Sequence, residues 1–168
     1  MPALSRRTFL TGSAALGAYG LGLGAASLYS TASAATPITL EAKTANALLD
    51  GQHLTKGVMT YGIDGASGDP MPPTLRMKRG EPFAAKLVNR LDEPTTIHWH
   101  GLRIDNRMDG VPFLTQPYVY TGDSFDYAFT PPDAGTFWYH PHCNTLTQMG
   151  RGMTGLLAVE NPDDPVFD

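Results

Sequence analysis

Four of the five histidines in this 168-residue chain lie in two motifs of the form His-x-His, at residues 98–100 and 140–142. Side chains alternate across a β-strand, so such a motif on a strand directs both rings to the same face. Two of these strands side by side would gather four imidazoles at one end of a sheet. Imidazole is a common ligand of copper, zinc and iron, so the pattern predicts a metal site. The fifth histidine, His53, stands alone and is interpreted as an ordinary surface or core residue.

Beyond residue 35 the sequence is typical of an all-β domain, because short runs are separated by glycine, proline, aspartate and asparagine. Residues 44–73 and 105–117 read as loop-rich, and residues 149–155 as a loop or short helix. Strands are expected at residues 38–43, 74–78, 81–89, 95–103, 124–130, 136–142 and 156–160. This number of short strands predicts a sandwich or small barrel of Greek-key type.

On each of the two histidine strands, one face should point to the core and the other to the metal. Ile97 and Trp99 alternate with the first histidine pair and are expected to point inward. Trp99 and Trp138 are both interpreted as core residues on the face opposite the histidines. Pro141 cannot donate a ladder hydrogen bond, which favours a strand end at a rim. The methionines are scattered and are interpreted as packing or loop residues rather than as Cu(I) ligands.

The first residues have the pattern of an export signal. Residues 5–10 contain the pair Arg6-Arg7 of a twin-arginine signal, an alanine- and glycine-rich stretch follows, and small residues precede Ala34. We therefore expect residues 1–34 to be a cleaved signal peptide and residues 35–168 to form one cupredoxin-like domain, which the twin-arginine machinery exports to the periplasm or elsewhere outside the cytoplasm. An uncleaved membrane anchor is the alternative, and the many glycines with little leucine or isoleucine argue against it.

Charge and cysteine content exclude two classes of protein. The formal charge is −4 and there is no basic stripe, so nucleic acid is not expected as a partner. A single cysteine, Cys143, excludes an intramolecular disulfide framework.

The histidine motifs and their neighbours resemble those of a known family. Residues 95–102, Thr-Thr-Ile-His-Trp-His-Gly-Leu, resemble the first copper-binding motif of multicopper oxidases, and residues 134–142, Ala-Gly-Thr-Phe-Trp-Tyr-His-Pro-His, resemble the second. Residues 108–112 and 155–160 also match the family. The resemblance extends from about residue 37 to the C-terminus. It implies a cupredoxin-like fold, which is a Greek-key β-sandwich or barrel.

The resemblance also implies a copper assignment. His98 looks like a ligand of the type 2 copper, His100 and His140 like ligands of one type 3 copper, and His142 like a ligand of the other. In the family this trinuclear cluster reduces dioxygen to water while a reducing substrate, such as a phenol or a metal ion, is oxidised. Asp109 resembles the acidic residue that helps to deliver protons to reduced oxygen. Its alternative reading is a turn residue, since Asp-Gly is a common turn pair.

One departure from the family pattern bears on activity. A complete enzyme has further cupredoxin domains, and the C-terminal one carries the His-Cys-His motif of the type 1 copper. Cys143 lacks the flanking histidine and the downstream methionine of such a site, and is interpreted as a buried or semi-buried thiol. We therefore expect the N-terminal domain of a longer oxidase, inactive without its missing C-terminal cupredoxin domains.

Two alternative functions, a metal-binding module and a scaffold, remain open. The chain is alternatively a stand-alone exported metal-binding module for copper or zinc without oxidase activity, since three histidines and water form a hydrolytic zinc site. Some exported cupredoxin proteins have lost their copper ligands and serve as scaffolds. All four histidines are present here, which argues against that loss.

Overall fold

The computed structural model describes residues 36–63 and 71–164. Within these residues the chain forms eight strands, one 3₁₀ turn at Asn106–Met108 and one short helix, α1, at Thr145–Gly150. The strands are β1 (Ile38–Ala47), β2 (Thr55–Ile63), β3 (Leu75–Lys78), β4 (Phe83–Asn89), β5 (His98–His100), β6 (Ser124–Phe129), β7 (Gly135–His140) and β8 (Gly155–Glu160). The all-β prediction is confirmed.

The eight strands divide into two four-stranded sheets. The first has the order β2-β1-β4-β6 and the second the order β3-β8-β7-β5. Strands β1 and β4 pair in parallel, as do β3 and β8, so the chain crosses between sheets instead of forming a simple meander. Strand β5 is the edge of the second sheet, and β7 is its neighbour. The two histidine motifs therefore belong to adjacent strands.

The core lies on the inner faces of the strands and is rich in large aromatic side chains. Strand β4 alternates as expected, because Phe83, Ala85 and Leu87 are buried while the residues between them are less covered. Trp99 is fully buried and makes edge-to-face contacts with Phe83, Tyr127 and Phe129. Aromatic pairs in this geometry add to the stabilisation from buried area alone.

Strand β2 was missed by the sequence reasoning, which took residues 44–73 as loop-rich. Val58 to Gly62 are all buried, so both faces of the strand are covered and no period-two alternation remains to be read. Gly57, which has a φ of 72°, interrupts the pairing of β2 with β1, because the register shifts there between Ala45 and Asn46. A strand with two covered faces and a bulge carries little local signal.

Both histidine strands are shorter than expected. The first was predicted over residues 95–103 but extends only from His98 to His100, since Gly101 adopts a φ of 87° that ends the strand. The second was predicted to reach His142 but ends at His140, before Pro141. Helix α1 begins at Thr145, ahead of the region in which a loop or short helix was expected.

The signal-peptide prediction falls on residues 1–34, which lie outside the described residues. Among the residues that the structure does describe, no helix is long and apolar enough to span a bilayer.

Candidate metal centre

The pairing of β5 with β7 positions the histidines. In this antiparallel pair His98 lies opposite His140, and His100 lies opposite Trp138. Residues directly opposite one another project to the same face with their Cβ atoms roughly 5 Å apart. The two motifs therefore present their rings to one side of the sheet edge. His142 lies beyond the end of β7, where its amide donates a hydrogen bond of 3.3 Å to the hydroxyl of buried Thr96.

The four rings converge around His98. Its ring centroid lies 5.5 Å from that of His100, 5.2 Å from that of His140 and 4.5 Å from that of His142. Nitrogen atoms of His98, His100 and His140 all lie within 4.8 Å of one another, whereas His142 is outside this group of three. The structure thus brings together the four histidines named from the sequence, with three of them most closely associated.

Hydrogen bonds to main-chain carbonyl oxygens orient two of these rings. The Nδ1 atom of His98 is 2.7 Å from the carbonyl oxygen of Asp109, and that of His140 is 3.0 Å from the carbonyl oxygen of Pro141. A carbonyl only accepts, so Nδ1 carries the proton in both rings and Nε2 keeps its lone pair. Orientation of a metal-binding histidine through its other ring nitrogen is the usual arrangement around protein metal sites.

Burial favours the neutral form that a metal requires. Desolvation, reinforced by the neighbouring imidazoles of His98, His142 and His100, lowers the pKa of His140 to about 4, against an opposing hydrogen bond to Pro141. Desolvation also lowers the pKa of His142, and nearby His98 contributes in the same direction. Both side chains are therefore neutral at physiological pH and have a lone pair available.

The spacing of two nitrogens fits a shared ion. The Nδ1 atom of His100 lies 3.2 Å from Nε2 of His140. Two imidazole nitrogens bound at 2.0–2.1 Å to one tetrahedral ion lie roughly 3.3 Å apart. Their separation therefore suits one copper or zinc ion. His100 and His142 are exposed and His140 is buried, so the cluster is open to solvent on one side.

Asp109 lies beside the cluster at the end of the 3₁₀ turn. Its backbone carbonyl orients His98, while its carboxylate Oδ1 is 3.4 Å from Nδ1 of the same ring. The carboxylate is 30% exposed, so it contacts both the histidine and the solvent. The turn reading and the functional reading of this residue are thus compatible, because backbone and side chain face the same histidine.

Other candidate ligands lie apart from this cluster. His53 is in the exposed β1–β2 connection, where its Nδ1 pairs with Asp50 Oδ2 at 2.6 Å. Cys143 is buried, as expected, with its sulfur 3.9 Å from the hydroxyl of Thr96, and burial raises its pKa to about 11. Met59, Met77 and Met153 are buried in the hydrophobic core, which agrees with a packing role for these methionines.

The two tryptophans differ, and the core interpretation of Trp138 was wrong. Trp99 is buried in the core as expected. Trp138 is only partly buried, and its ring stacks on His140 at 4.1 Å and lies 4.6 Å from the ring of His100. Its residue number has the same parity as His140, so the alternation of β7 puts it on the histidine face. That parity was the signal that could have identified it.

Three comparisons with known proteins point to one family. The family described as "Multicopper oxidase" matches residues 49–164. Multicopper oxidase mco of Staphylococcus aureus is 43% identical over 100 residues, which is 58% of this chain and 22% of that protein. Copper resistance protein A of Escherichia coli is 34% identical over 173 residues, covering 98% of this chain and 27% of that protein.

A solved structure gives the same result at the level of the fold. The crystal structure of a multicopper oxidase from Pseudomonas thermotolerans superposes with a TM-score of 0.70 at 40% identity, covering 79% of this chain and 31% of that one. The chain thus spans about a quarter of the length of the curated relatives it matches. Taken with the paired histidine strands, these similarities establish that this chain belongs to the multicopper oxidase family and that its two-sheet sandwich is cupredoxin-like.

Proposed function

We propose that this chain supplies half of the histidine ligands of a trinuclear copper cluster, as the N-terminal domain of a longer multicopper oxidase. The observation that carries the proposal is the 3.2 Å separation of the facing nitrogens of His100 and His140, the pair assigned by resemblance to one type 3 copper. His98 is assigned to the type 2 copper and His142 to the second type 3 copper. His142 lies outside the group formed by His98, His100 and His140, which is compatible with its binding a different ion.

Copper held by these histidines would relay to dioxygen the four electrons taken from a phenol or metal ion at a type 1 site elsewhere in the polypeptide, and with four protons dioxygen would become two waters. The residues of this chain would contribute imidazole nitrogens as ligands. The sheet edge fixes their backbone, the carbonyls of Asp109 and Pro141 fix two rings, and burial keeps His140 unprotonated.

The exposed side of the cluster is where the remaining ligands would approach. His100 and His142 are open to solvent, and four imidazoles from one domain cannot by themselves hold three ions in a fixed arrangement. We therefore propose that a C-terminal cupredoxin domain of the same polypeptide provides the other histidines at this face. On its own the chain binds one or two metal ions and has no oxidase activity.

Asp109 is proposed as the proton donor. Its carboxylate contacts His98 on one side and solvent on the other, a position from which it can hold a proton and pass it towards the histidine cluster. A carboxylate held in place between solvent and a reacting group is suited to repeated proton transfer. Its backbone carbonyl orients His98 independently, so removal of the side chain should leave the metal site intact.

The proposed location is the periplasm. The twin-arginine pattern at Arg6-Arg7 is the supporting observation, and one relative carries the name copper resistance protein. Export by the twin-arginine machinery of a domain that binds copper agrees with a function outside the cytoplasm.

The experiment compares this chain with the complete polypeptide. The chain alone should bind Cu(II) with no oxygen uptake, and the His98→Ala/His140→Ala variant should lose that binding while keeping the fold by circular dichroism. The complete protein should have the blue band of a type 1 site and consume oxygen. Asp109→Ala in the complete protein should retain copper yet slow oxygen uptake by roughly 10²-fold or more.

Two outcomes would contradict this proposal. A complete polypeptide that is loaded with copper but consumes no oxygen would remove the oxidase function. Purification of the chain with tightly bound zinc, silent in electron paramagnetic resonance, would favour the stand-alone metal-binding module instead.

A further inference from the structure

The indole of Trp138 lies against two histidines of the cluster. It is directly opposite His100 across the β5–β7 pair, and the two ring centroids are 4.6 Å apart at an interplanar angle of 32°. Its ring centroid is 4.1 Å from that of His140, with the planes inclined by 25°. The indole is thus stacked on His140 and is in close, tilted contact with His100.

This contact is the first step of a row of stacked rings that begins on β7 and continues past its end. His140 in turn lies 5.3 Å from His142 at an interplanar angle of 24°. Residues 138 and 140 stack at the period of two that the strand imposes, and His142, beyond the end of β7, continues the row. The rigid indole of Trp138 is the member of this row that lies farthest from the C-terminal end of β7.

His100 depends on this support more than His98 and His140 do. His98 and His140 each donate Nδ1–H to a backbone carbonyl, which fixes the ring plane. Within the described part of the chain, the hydrogen bond of His100 goes to His140, through the nitrogen that would face an ion. The final torsion of a histidine side chain is soft, so an exposed imidazole without a carbonyl partner rotates unless packing restrains it.

The structure therefore assigns Trp138 as a positioning residue. Its indole holds the rings of His100 and His140 in the orientation in which their facing nitrogens, 3.2 Å apart, can share one ion. This inference rests on the metal-binding function proposed above. Groups that orient metal-binding histidines commonly change metal affinity by 10- to 100-fold when they are removed.

The test compares three variants of the chain. Trp138→Leu removes the stacked ring, Trp138→Phe keeps an aromatic ring, and Phe137→Leu removes the neighbouring aromatic that packs on the core instead. Cu(II) affinity is measured by competition with a chelator, and the copper environment by electron paramagnetic resonance. We expect Trp138→Leu to bind Cu(II) roughly tenfold or more weakly, with an altered spectrum. Trp138→Phe should recover most of the affinity, and Phe137→Leu should bind normally.

A second readout needs no metal. In metal-free protein with isotope-labelled histidines, nuclear magnetic resonance relaxation should report a more mobile His100 ring in Trp138→Leu and an unchanged one in Phe137→Leu. Wild-type affinity, spectrum and ring order in Trp138→Leu would overturn the inference, as would an equal loss of affinity in Phe137→Leu. If the wild-type chain bound no Cu(II), the proposed function would fail, while the ring mobility would still decide whether Trp138 positions His100.

Discussion

Gly110 allows the loop that carries Asp109 to pack directly against the first histidine strand. Its φ is 78°, and a Cβ atom at this position would overlap the backbone carbonyl of Ile97. The preceding carbonyl, that of Asp109, accepts the hydrogen bond from His98. A glycine is required here both for the left-handed backbone and for the close approach of two chain segments.

Replacing Gly110 with alanine should therefore cost more stability than the same change at a glycine that has only the left-handed backbone. Gly80 is the matched control, since its φ is 79° and nothing lies within 4 Å of an added Cβ. Gly80→Ala should lower the free energy of unfolding by about 1–2 kcal/mol. Gly110→Ala should lower it by roughly 1–3 kcal/mol more, because the loop must move away from Ile97.

Urea denaturation measures both losses, and Cu(II) affinity should fall only in Gly110→Ala. Equal destabilisation by the two substitutions would contradict the close-approach argument. The shift of the loop would also displace the carbonyl that orients His98.

At the scale of the element, helix α1 buries one side chain, which bonds it to a neighbouring segment. Gln148 is fully buried, accepts a hydrogen bond of 2.8 Å from the hydroxyl of Thr95, and donates to the carbonyl of Pro94 at 2.9 Å and to Glu93 at 3.0 Å. A helix of six residues is too short to be stable by itself. These hydrogen bonds tie it to the segment that leads into the first histidine motif.

Gln148→Ala should destabilise the domain by about 2–3 kcal/mol, because the Pro94 carbonyl loses its donor and the buried hydroxyl of Thr95 loses its nearest acceptor. Thr147→Ala, on the exposed side of the same helix, is the matched control and should change the free energy of unfolding by less than about 0.5 kcal/mol. Chemical denaturation gives both values. A loss at Gln148 no larger than the one at Thr147 would mean that the helix is held by other contacts.

At the scale of the whole molecule, three buried tyrosines link stability to alkaline pH. Burial raises the pKa of Tyr61, Tyr127 and Tyr139 above the ordinary value. The native state therefore keeps the phenolic protons of these tyrosines above about pH 10, where the unfolded chain releases them. Fewer protons are bound in the unfolded state, so stability must decrease as the pH rises through that value.

The expected decrease is about 1.4 kcal/mol per pH unit for each buried hydroxyl. Ultraviolet absorbance of tyrosinate should rise for these residues only as the protein unfolds. The buried thiol of Cys143, whose pKa is raised to about 11, contributes to the slope only below that pH. Above about pH 11, Tyr139→Phe removes one of the three remaining groups and should reduce the pH slope by about a third. An unchanged slope in that variant, at equal ionic strength, would show that Tyr139 does not contribute to the alkaline transition.

Local alternation in the sequence predicted some elements of the fold and missed others. Strand β4 and the inward position of Trp99 were predicted correctly, because alternation is a property of one strand facing one core. Strand β2 was missed because both of its faces are covered. The aromatic at position 138 was misassigned although its parity was readable, since the default expectation for a tryptophan is the core.

By itself, the sequence determined that the domain is built of strands and that each histidine pair begins on one face of its strand. Only the tertiary structure decided the register of the strand pair, in which His98 lies opposite His140 and His100 lies opposite Trp138. It also decided that His142 leaves the strand after Pro141 and is held by Thr96. The physical reason is that periodicity is local, whereas register depends on contacts between segments about forty residues apart, which no single strand encodes.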